Sequence, residues 1–214
     1  MQHTLSKMAA SALCLLMLAL NALPAVYAAD SKVPAAIAGL LPKTAKLDGG
    51  DWAVIDTEFG KTYSGGMRAE FPGQPSSCNV TIGPELHVTI KGDTAWEEPP
   101  MLDMAIDIHT SEIQQARASL PGSVKNMLKT NSGVTSIGDL QDEKLASGQL
   151  IYIEFKENCK RHSGSATVLR GFSRKGATTM TFELMQTKSA AETRALAAEM
   201  ISKFQKLDKA ALIR

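Results

Sequence analysis

Four side chains that can bind a transition metal lie close together near the middle of the chain. They alternate with an apolar series, so in an extended strand they would share one face. The four are Met101, Asp103, Asp107 and His109. A thioether beside carboxylates and an imidazole suits a soft ion such as Cu(I), and His87 on a neighbouring strand could add a ligand. The same alternation is typical of a solvent-exposed sheet face, so both interpretations stay open.

A tryptophan stands in the proline-rich loop directly before that segment. The loop, residues 92–100, reads Gly-Asp-Thr-Ala-Trp-Glu-Glu-Pro-Pro, and its prolines prevent a strand from continuing. Trp96, followed by Glu97 and Glu98, is the type of anchor that protein interfaces use, which predicts a partner-binding group. Because tryptophan is mostly buried in proteins, the alternative is an indole that covers the end of the sheet.

The usual motifs of catalysis are missing from the sequence. It contains no Gly-x-Ser-x-Gly, no His-Glu-x-x-His, no P-loop and no dinucleotide-binding glycine pattern. Cys159 and His162 are neighbours in sequence, whereas catalytic groups are normally assembled from separate elements. The sequence therefore predicts no cofactor and favours a protein that is not an enzyme. A pocket joining His109 or His162 to a carboxylate and a serine would favour a hydrolase instead.

The N-terminus is typical of a secretory signal peptide. Lys7 precedes an apolar run at 8–20, and small residues lead up to Ala28. An uncleaved anchor is the alternative, but the run is shorter than the roughly 20 residues that span a bilayer. We predict a signal peptide at 1–28 and a periplasmic or secreted mature protein at 29–214, with no membrane insertion after cleavage.

Two cysteines remain in the mature chain, Cys78 and Cys159. Disulfides persist in exported proteins, so we predict that these two are bonded. Closing a loop of about 80 residues would stabilise the fold by about 4–5 kcal/mol in the chain-entropy account. The bond would join the front and back of residues 29–214 into a single domain. Free thiols are the alternative.

The charges of the mature chain balance. Loss of Lys7 removes one of 23 basic residues and none of the 22 acidic ones. A nucleic-acid-binding protein would concentrate basic residues, and so would a protein held electrostatically at a membrane. The partner predicted by this balance is another envelope protein or a small ligand, and not nucleic acid.

The hydrophobic pattern predicts an α+β domain with a largely antiparallel sheet of about seven or eight strands. A helix begins near Ser111 and is interrupted at Pro121, and a long C-terminal helix begins at the capping box Ser189-x-x-Glu192. Hairpins join most neighbouring strands. Eight strands are predicted at 51–59, 67–71, 78–82, 86–90, 101–109, 149–160, 166–173 and 177–186, and 135–140 is a candidate for a further short one.

This order of elements resembles that of domains like the photosystem accessory protein PsbP, a resemblance that includes no motif and no residue. Three functions remain open. The first is an exported non-catalytic binding or accessory protein; the second is a metal-binding protein using Met101, Asp107 and His109; the third is a hydrolase. A fold of this class hosts many functions and does not choose between them.

Overall fold

A computed structural model describes residues 33–78 and 83–213. The predicted signal peptide at 1–28 lies outside the described residues, and so do Val80 and Ile82 of the third predicted strand. Cys78, the first residue of that predicted strand, is in a bend. All described residues belong to one compact unit.

Residues 33–78 and 83–213 form eight strands and three α-helices, which confirms the predicted α+β class. The helices are α1 (Ala35–Ala38), α2 (Met101–Leu128) and α3 (Ala190–Lys206), with 3-10 turns at Thr94–Trp96 and Lys209–Ala211. The strands are β1 (Lys46–Thr57), β2 (Gly60–Glu70), β3 (Glu85–Asp93), β4 (Val134–Ile137), β5 (Gln141–Leu145), β6 (Gly148–Asn158), β7 (Ser163–Lys175) and β8 (Thr178–Gln186). Within residues 33–78 and 83–213, no helix combines the length and apolar character needed to cross a membrane.

The strands form one sheet in the order β1-β2-β3-β8-β7-β6-β4, with β5 also paired to β6. Every pairing is antiparallel. The first three strands form one meander and the last three form another, and β8 returns to lie beside β3. Since α2 connects β3 with the opposite edge of the sheet, it has to cross one sheet face.

Each face of the sheet carries its own helix and its own core. Side chains alternate across a strand, so in β6 Leu150 faces α3 whereas Ile151 faces α2. The α3 core includes Met200 and Phe204 and extends under all three N-terminal strands. The α2 core covers only β6, β7 and the end of β8. The sheet is therefore covered completely on one face and in part on the other.

The uncovered area on the α2 face is called the bare half-sheet here. It consists of side chains of β1, β2 and β3 that all point away from the α3 core and are exposed. They are Asp51, Ala53, Ile55, Ser64, Arg68, His87, Thr89 and Lys91. This half of the sheet thus presents a flat, mostly polar surface beside α2.

The strand predicted at 101–109 is wrong, because these residues form the first turns of α2. The apolar residues of the segment fit a period of two, but the buried ones continue at steps of four or seven along the helix. They are Ala105, His109, Ala116, Leu120, Val124 and Leu128. Pro99 and Pro100 precede the helix, where the missing N–H groups cost nothing because the first N–H groups of a helix lack partners anyway.

The predicted helix boundaries in this region are wrong as well. Ser111 lies inside α2 and is not an N-cap, and the helix passes through Pro121. Pro121 is exposed, so the carbonyl that loses its partner four residues earlier can face solvent. By contrast, the predicted capping box at the start of α3 is formed: Ser189 Oγ accepts from the Glu192 N–H, and Glu192 accepts from the Ser189 N–H.

The two predicted cysteine partners are joined by a disulfide. Cys78 and Cys159 are 81 residues apart in sequence, and their Cα atoms are 5.8 Å apart. Gly133 passes directly under the bond, since a Cβ at this position would lie 2.7 Å from Cys78 Sγ. The carboxylate of Glu157, which is buried, accepts from the Cys78 N–H at 3.3 Å and from Asn131 Nδ2 at 2.7 Å. The disulfide region is therefore also held by hydrogen bonds.

Candidate ligand-binding cavity

A cavity of about 340 Å³ lies beneath the first turns of α2. Its walls come from four places: the adjoining ends of β2 and β3, the 3-10 turn, α2 itself, and the start of β8. The residues used below are Trp96, Ala105, Ile108, His109, Glu112 and Thr179. The volume is in the range of natural ligand pockets, which are mostly apolar with a few polar groups. We call this space the α2 cavity.

Asp93 positions the 3-10 turn that carries Trp96. One carboxylate oxygen of Asp93 accepts from the Ala95 N–H at 2.7 Å, and the other accepts from Thr62 Oγ1 at 2.5 Å. The N–H of Lys61 donates to Thr94 Oγ1 at 2.7 Å, so the β1–β2 hairpin is tied to the same turn. These bonds hold the half-buried indole of Trp96 at the cavity wall.

Tyr63 and Gly92 close the end of the cavity beside the sheet. The tyrosine ring crosses the backbone of Gly92 so closely that a Cβ there would lie 2.6 Å from Tyr63 Cζ. Only glycine fits this approach. The hydroxyl of Tyr63 is hydrogen-bonded to Thr178 Oγ1 at 2.5 Å, and burial raises the pKa of the phenol. Tyr63 is therefore a fixed part of the wall.

His109 is buried at the base of the cavity. Its ring meets Phe172 edge to face, with 6.3 Å between the ring centroids. Burial lowers the pKa of His109; Glu112 opposes that shift, whereas Arg174 and Lys91 add to it. The imidazole is thus held in its neutral form. No other described residue forms a hydrogen bond with its Nδ1 atom.

Two further buried polar atoms of the α2 cavity also have no hydrogen-bond partner among the described residues. They are Oε2 of Glu112 and Oγ1 of Thr179. The other oxygen of Glu112 forms an ion pair with Lys91. Lys91 is directly opposite Thr179 in the β3–β8 pairing, which brings the hydroxyl and the carboxylate to the same end of the cavity. Buried polar groups normally have partners, so this cluster is unusual.

Exposed apolar side chains occur on α2 and β1 near the cavity. Met104 and Ile108 are one helical turn apart and are each 42% exposed, although both are large and hydrophobic. Ile55, which is 57% exposed, is directly opposite the cavity residue Thr62 on the neighbouring strand. Ile108 lines the cavity, whereas Ile55 belongs to the bare half-sheet. An apolar molecule would gain contacts with them on its way in.

A second, polar recess continues from the α2 cavity along the helix. It has a volume of about 360 Å³ and shares Glu112 with the first. Arg170 crosses this recess and donates from Nε to Glu183 at 2.7 Å and from Nη1 to Ser119 Oγ at 3.1 Å. The groove beside α2 is therefore apolar at its start and polar farther along.

The four predicted metal ligands do not converge. Two residues correspond to about 200° around a helix, so Asp107 is on the side of α2 opposite His109. Asp103 and Asp107 are exposed, whereas His109 is buried, and Met101 is two turns away from His109. No cluster of three or more His, Cys, Asp or Glu suited to a metal occurs in the described part of the chain. The strand face on which the metal prediction rested is absent.

The predicted partner-binding group is divided between two places. Trp96 lines the α2 cavity. Glu97 instead pairs with Lys209 at 2.8 Å, at the opposite side of the turn, and Glu98 is exposed. Trp96 and His109, predicted for two different functions, are thus brought together, whereas the acidic residues beside each of them are not.

The α2 cavity also contains the combination that would favour a hydrolase. His109, Glu112 and Ser64 all line it. However, no hydrogen bond links the histidine to the serine or to the carboxylate among the described residues, and Glu112 is paired with Lys91. A catalytic nucleophile needs such a bond to its base. The other histidine considered, His162, is hydrogen-bonded to the Ser165 carbonyl at 3.1 Å, and does not line this cavity.

Comparison with known proteins shows no family for this chain. No protein-family description matches the sequence, and no curated protein matches it either. Among solved structures, the solution structure of the cyanobacterial PsbP protein CyanoP from Synechocystis sp. PCC 6803 is similar at 12% sequence identity and a TM-score of 0.26. The match covers 74% of this chain and 92% of that one. A likeness of this size transfers neither a residue nor a function.

Proposed function

We propose that this protein is an exported, non-catalytic binding protein whose α2 cavity takes up a small apolar ligand. One observation carries the proposal: an apolar cavity of about 340 Å³ contains three buried polar atoms that have no hydrogen-bond partner within residues 33–78 and 83–213. Leaving such atoms unpaired costs free energy, and a bound ligand would recover that cost. The predicted signal peptide and the Cys78–Cys159 pair support export.

The binding proposal leads to a direct test with an uncharged fluorescent probe, N-phenyl-1-naphthylamine, which brightens in apolar surroundings. We expect saturable binding by the chain lacking residues 1–28. Ala105, which lines the cavity and is 7% exposed, is the residue to enlarge. Ala105→Phe should fill the space and weaken probe binding about tenfold or more, because buried apolar contacts with the probe are lost.

The matched control is Ala118→Phe, which places the same ring on the same helix at an exposed position away from the cavity. It should leave the affinity unchanged. Ala177→Leu fills the cavity from the opposite wall and should weaken binding as Ala105→Phe does, with circular dichroism verifying that each variant is folded. Absence of saturable binding, or equal affinity in all three variants, would refute the proposal.

A hydrolase remains the second candidate because His109, Glu112 and Ser64 share the cavity. Hydrolysis of p-nitrophenyl esters of short and medium chain length separates the two functions. The binding proposal predicts no turnover that depends on His109, so the unmodified chain and His109→Gln should give the same background rate. A rate that falls about a hundredfold or more in His109→Gln would instead identify a general base.

A further inference from the structure

Three residues that line the α2 cavity each carry an unpartnered polar atom. His109 and Glu112 are three residues apart on α2 and so occupy neighbouring positions on the same helix face. Thr179 approaches from β8, beside the Lys91 that pairs with Glu112. His109 and Thr179 are at least nine-tenths buried. A single polar group of a bound molecule can therefore be shared among these atoms.

The charged side chains around these atoms already have partners. Glu112 is neutralised by its ion pair with Lys91, and Asp93, another cavity residue, has both carboxylate oxygens occupied by Ala95 and Thr62. Bringing an unpaired charge into an enclosed apolar site costs much more than bringing in a neutral polar group. The cavity is consequently suited to an uncharged ligand.

The hydrogen-bonding capacities of the three atoms match those of a hydroxyl group. An ionised carboxylate only accepts, so the ligand must donate to Oε2 of Glu112. The threonine hydroxyl can donate or accept, and a neutral imidazole carries one donor and one acceptor nitrogen. A hydroxyl donates one hydrogen bond and accepts up to two. It can therefore donate to Glu112 while it accepts from Thr179 or from His109.

The remaining walls of the cavity determine the size of the apolar part of the ligand. A cavity of about 150 Å³ lined by aliphatic and aromatic side chains binds benzene, so the volume of about 340 Å³ has room for two fused rings. Trp96 provides an aromatic wall and Ile108 an aliphatic one. The ring face of a planar ligand can pack against the indole.

We propose that the α2 cavity selects an uncharged, bicyclic-sized apolar molecule with one hydroxyl group, and that this hydroxyl is bound by Glu112, Thr179 and His109. The inference rests on the proposed binding function and names the ligand class of the same site. It accounts for all three unpartnered atoms with one functional group.

The test compares four naphthalene derivatives that differ in one substituent, each displacing N-phenyl-1-naphthylamine. They are 2-naphthol, 2-methylnaphthalene, 2-naphthoate and 2-naphthylmethylammonium. At neutral pH, 2-naphthol should bind about tenfold or more tightly than 2-methylnaphthalene, although the methyl compound is the more hydrophobic, because only the hydroxyl satisfies the buried atoms. The two charged compounds should bind more weakly than 2-naphthol.

Two variants test whether Thr179 and Glu112 cause the preference among these compounds. Thr179→Val keeps the side-chain shape and removes the hydroxyl, and should reduce the preference for 2-naphthol about fivefold or more. The matched control, Thr181→Val, changes the next residue on the same face of β8, outside the α2 cavity, and should leave the preference intact. Glu112→Gln leaves Lys91 without its counter-charge and should improve binding of 2-naphthoate severalfold.

The results distinguish this inference from the proposed function. If the probe binds and Ala105→Phe abolishes binding, but 2-methylnaphthalene equals or exceeds 2-naphthol, the hydroxyl inference is wrong and the binding function stands. If Thr179→Val and Thr181→Val behave alike, the assignment to Thr179 is wrong. If the probe does not bind at all, the proposed function itself fails.

Discussion

At the scale of single residues, the α2 cavity depends on where His109 is placed. A histidine on a half-exposed strand would meet water, but on the inner side of α2 it meets Phe172 and is almost fully enclosed. Burial lowers its pKa because the charged form loses its hydration. The burial of His109, and with it the direction of its pKa shift, is thus determined by the element that carries the residue.

The lowered pKa of His109 predicts a loss of stability in mild acid. Below pH 6.5 the unfolded chain takes up a proton at this residue that the folded chain does not, so the free energy of unfolding falls as the pH falls. One proton over one pH unit amounts to about 1.4 kcal/mol, which is the upper limit for His109 at pH 5.5. Urea unfolding at pH 7.5 and 5.5 measures the change.

His109→Gln supplies the control for this prediction, because glutamine does not titrate. The difference in unfolding free energy between the two pH values should be smaller in this variant than in the unmodified chain. Glu112, Arg174 and Lys91 surround the imidazole and are unchanged in the comparison. Identical pH dependence in both proteins would show that His109 does not contribute.

At the scale of elements, α2 shows why the local hydrophobic pattern led to a wrong strand prediction at 101–109. Between Met101 and His109, apolar residues are so frequent that both a period of two and a period of 3.6 fit. The helical pattern becomes distinct only when the segment is read together with Ala116, Leu120 and Val124, which continue the buried stripe. Read in that way, His109 and Glu112 fall on one face three residues apart, and this signal could have located the cavity.

The hairpins and the C-terminal helix were predictable because their signals are local. The turn at Arg174–Gly176 and the capping box at Ser189 specify their structure within a few residues. The short strand suggested at 135–140 overlaps β4 (Val134–Ile137). In contrast, β5 was not predicted, because it is short and largely exposed and has no marked apolar alternation. Thr179 could not be recognised as a site residue, since only the pairing of β8 with β3 brings it beside Lys91.

The capping box of α3 leads to a prediction about this helix. Ser189→Ala removes the acceptor for the Glu192 N–H and should lower the free energy of unfolding by about 1 kcal/mol. Ser189→Asn retains a capping oxygen and should cost only a few tenths of that amount. Urea titration followed by circular dichroism compares the two variants, and equal losses would show that the cap is not the cause.

At the scale of the whole molecule, the disulfide joins segments whose strands are not paired in the sheet, because β8 and β7 lie between β3 and β6. Cys159 follows β6, whereas Cys78 belongs to the connection between the first two meander strands and β3. The bond lies at the end of α2 remote from the cavity, beside Gly133. Its effect should therefore be on the stability of the fold and not on ligand binding.

The length of the loop that the disulfide closes determines how much the bond stabilises the fold. Because the cysteines are 81 positions apart in the sequence, loss of the cross-link should reduce the free energy of unfolding by about 4.5 kcal/mol in the chain-entropy account. The double variant Cys78→Ser, Cys159→Ser should match the reduced unmodified chain in urea unfolding. Reductant should not change the double variant, and an unmodified chain that is equally insensitive to reductant would contradict the prediction.

The bare half-sheet has a kinetic consequence. The cavity residue Thr62 is directly opposite Ile55, an exposed side chain of the bare half-sheet, so the cavity adjoins this surface. A bound molecule can therefore depart along the strands without any helix having to swing aside. If the α2 cavity binds a ligand as proposed, the residence time of that ligand is then governed by the contacts it breaks and not by a gating motion.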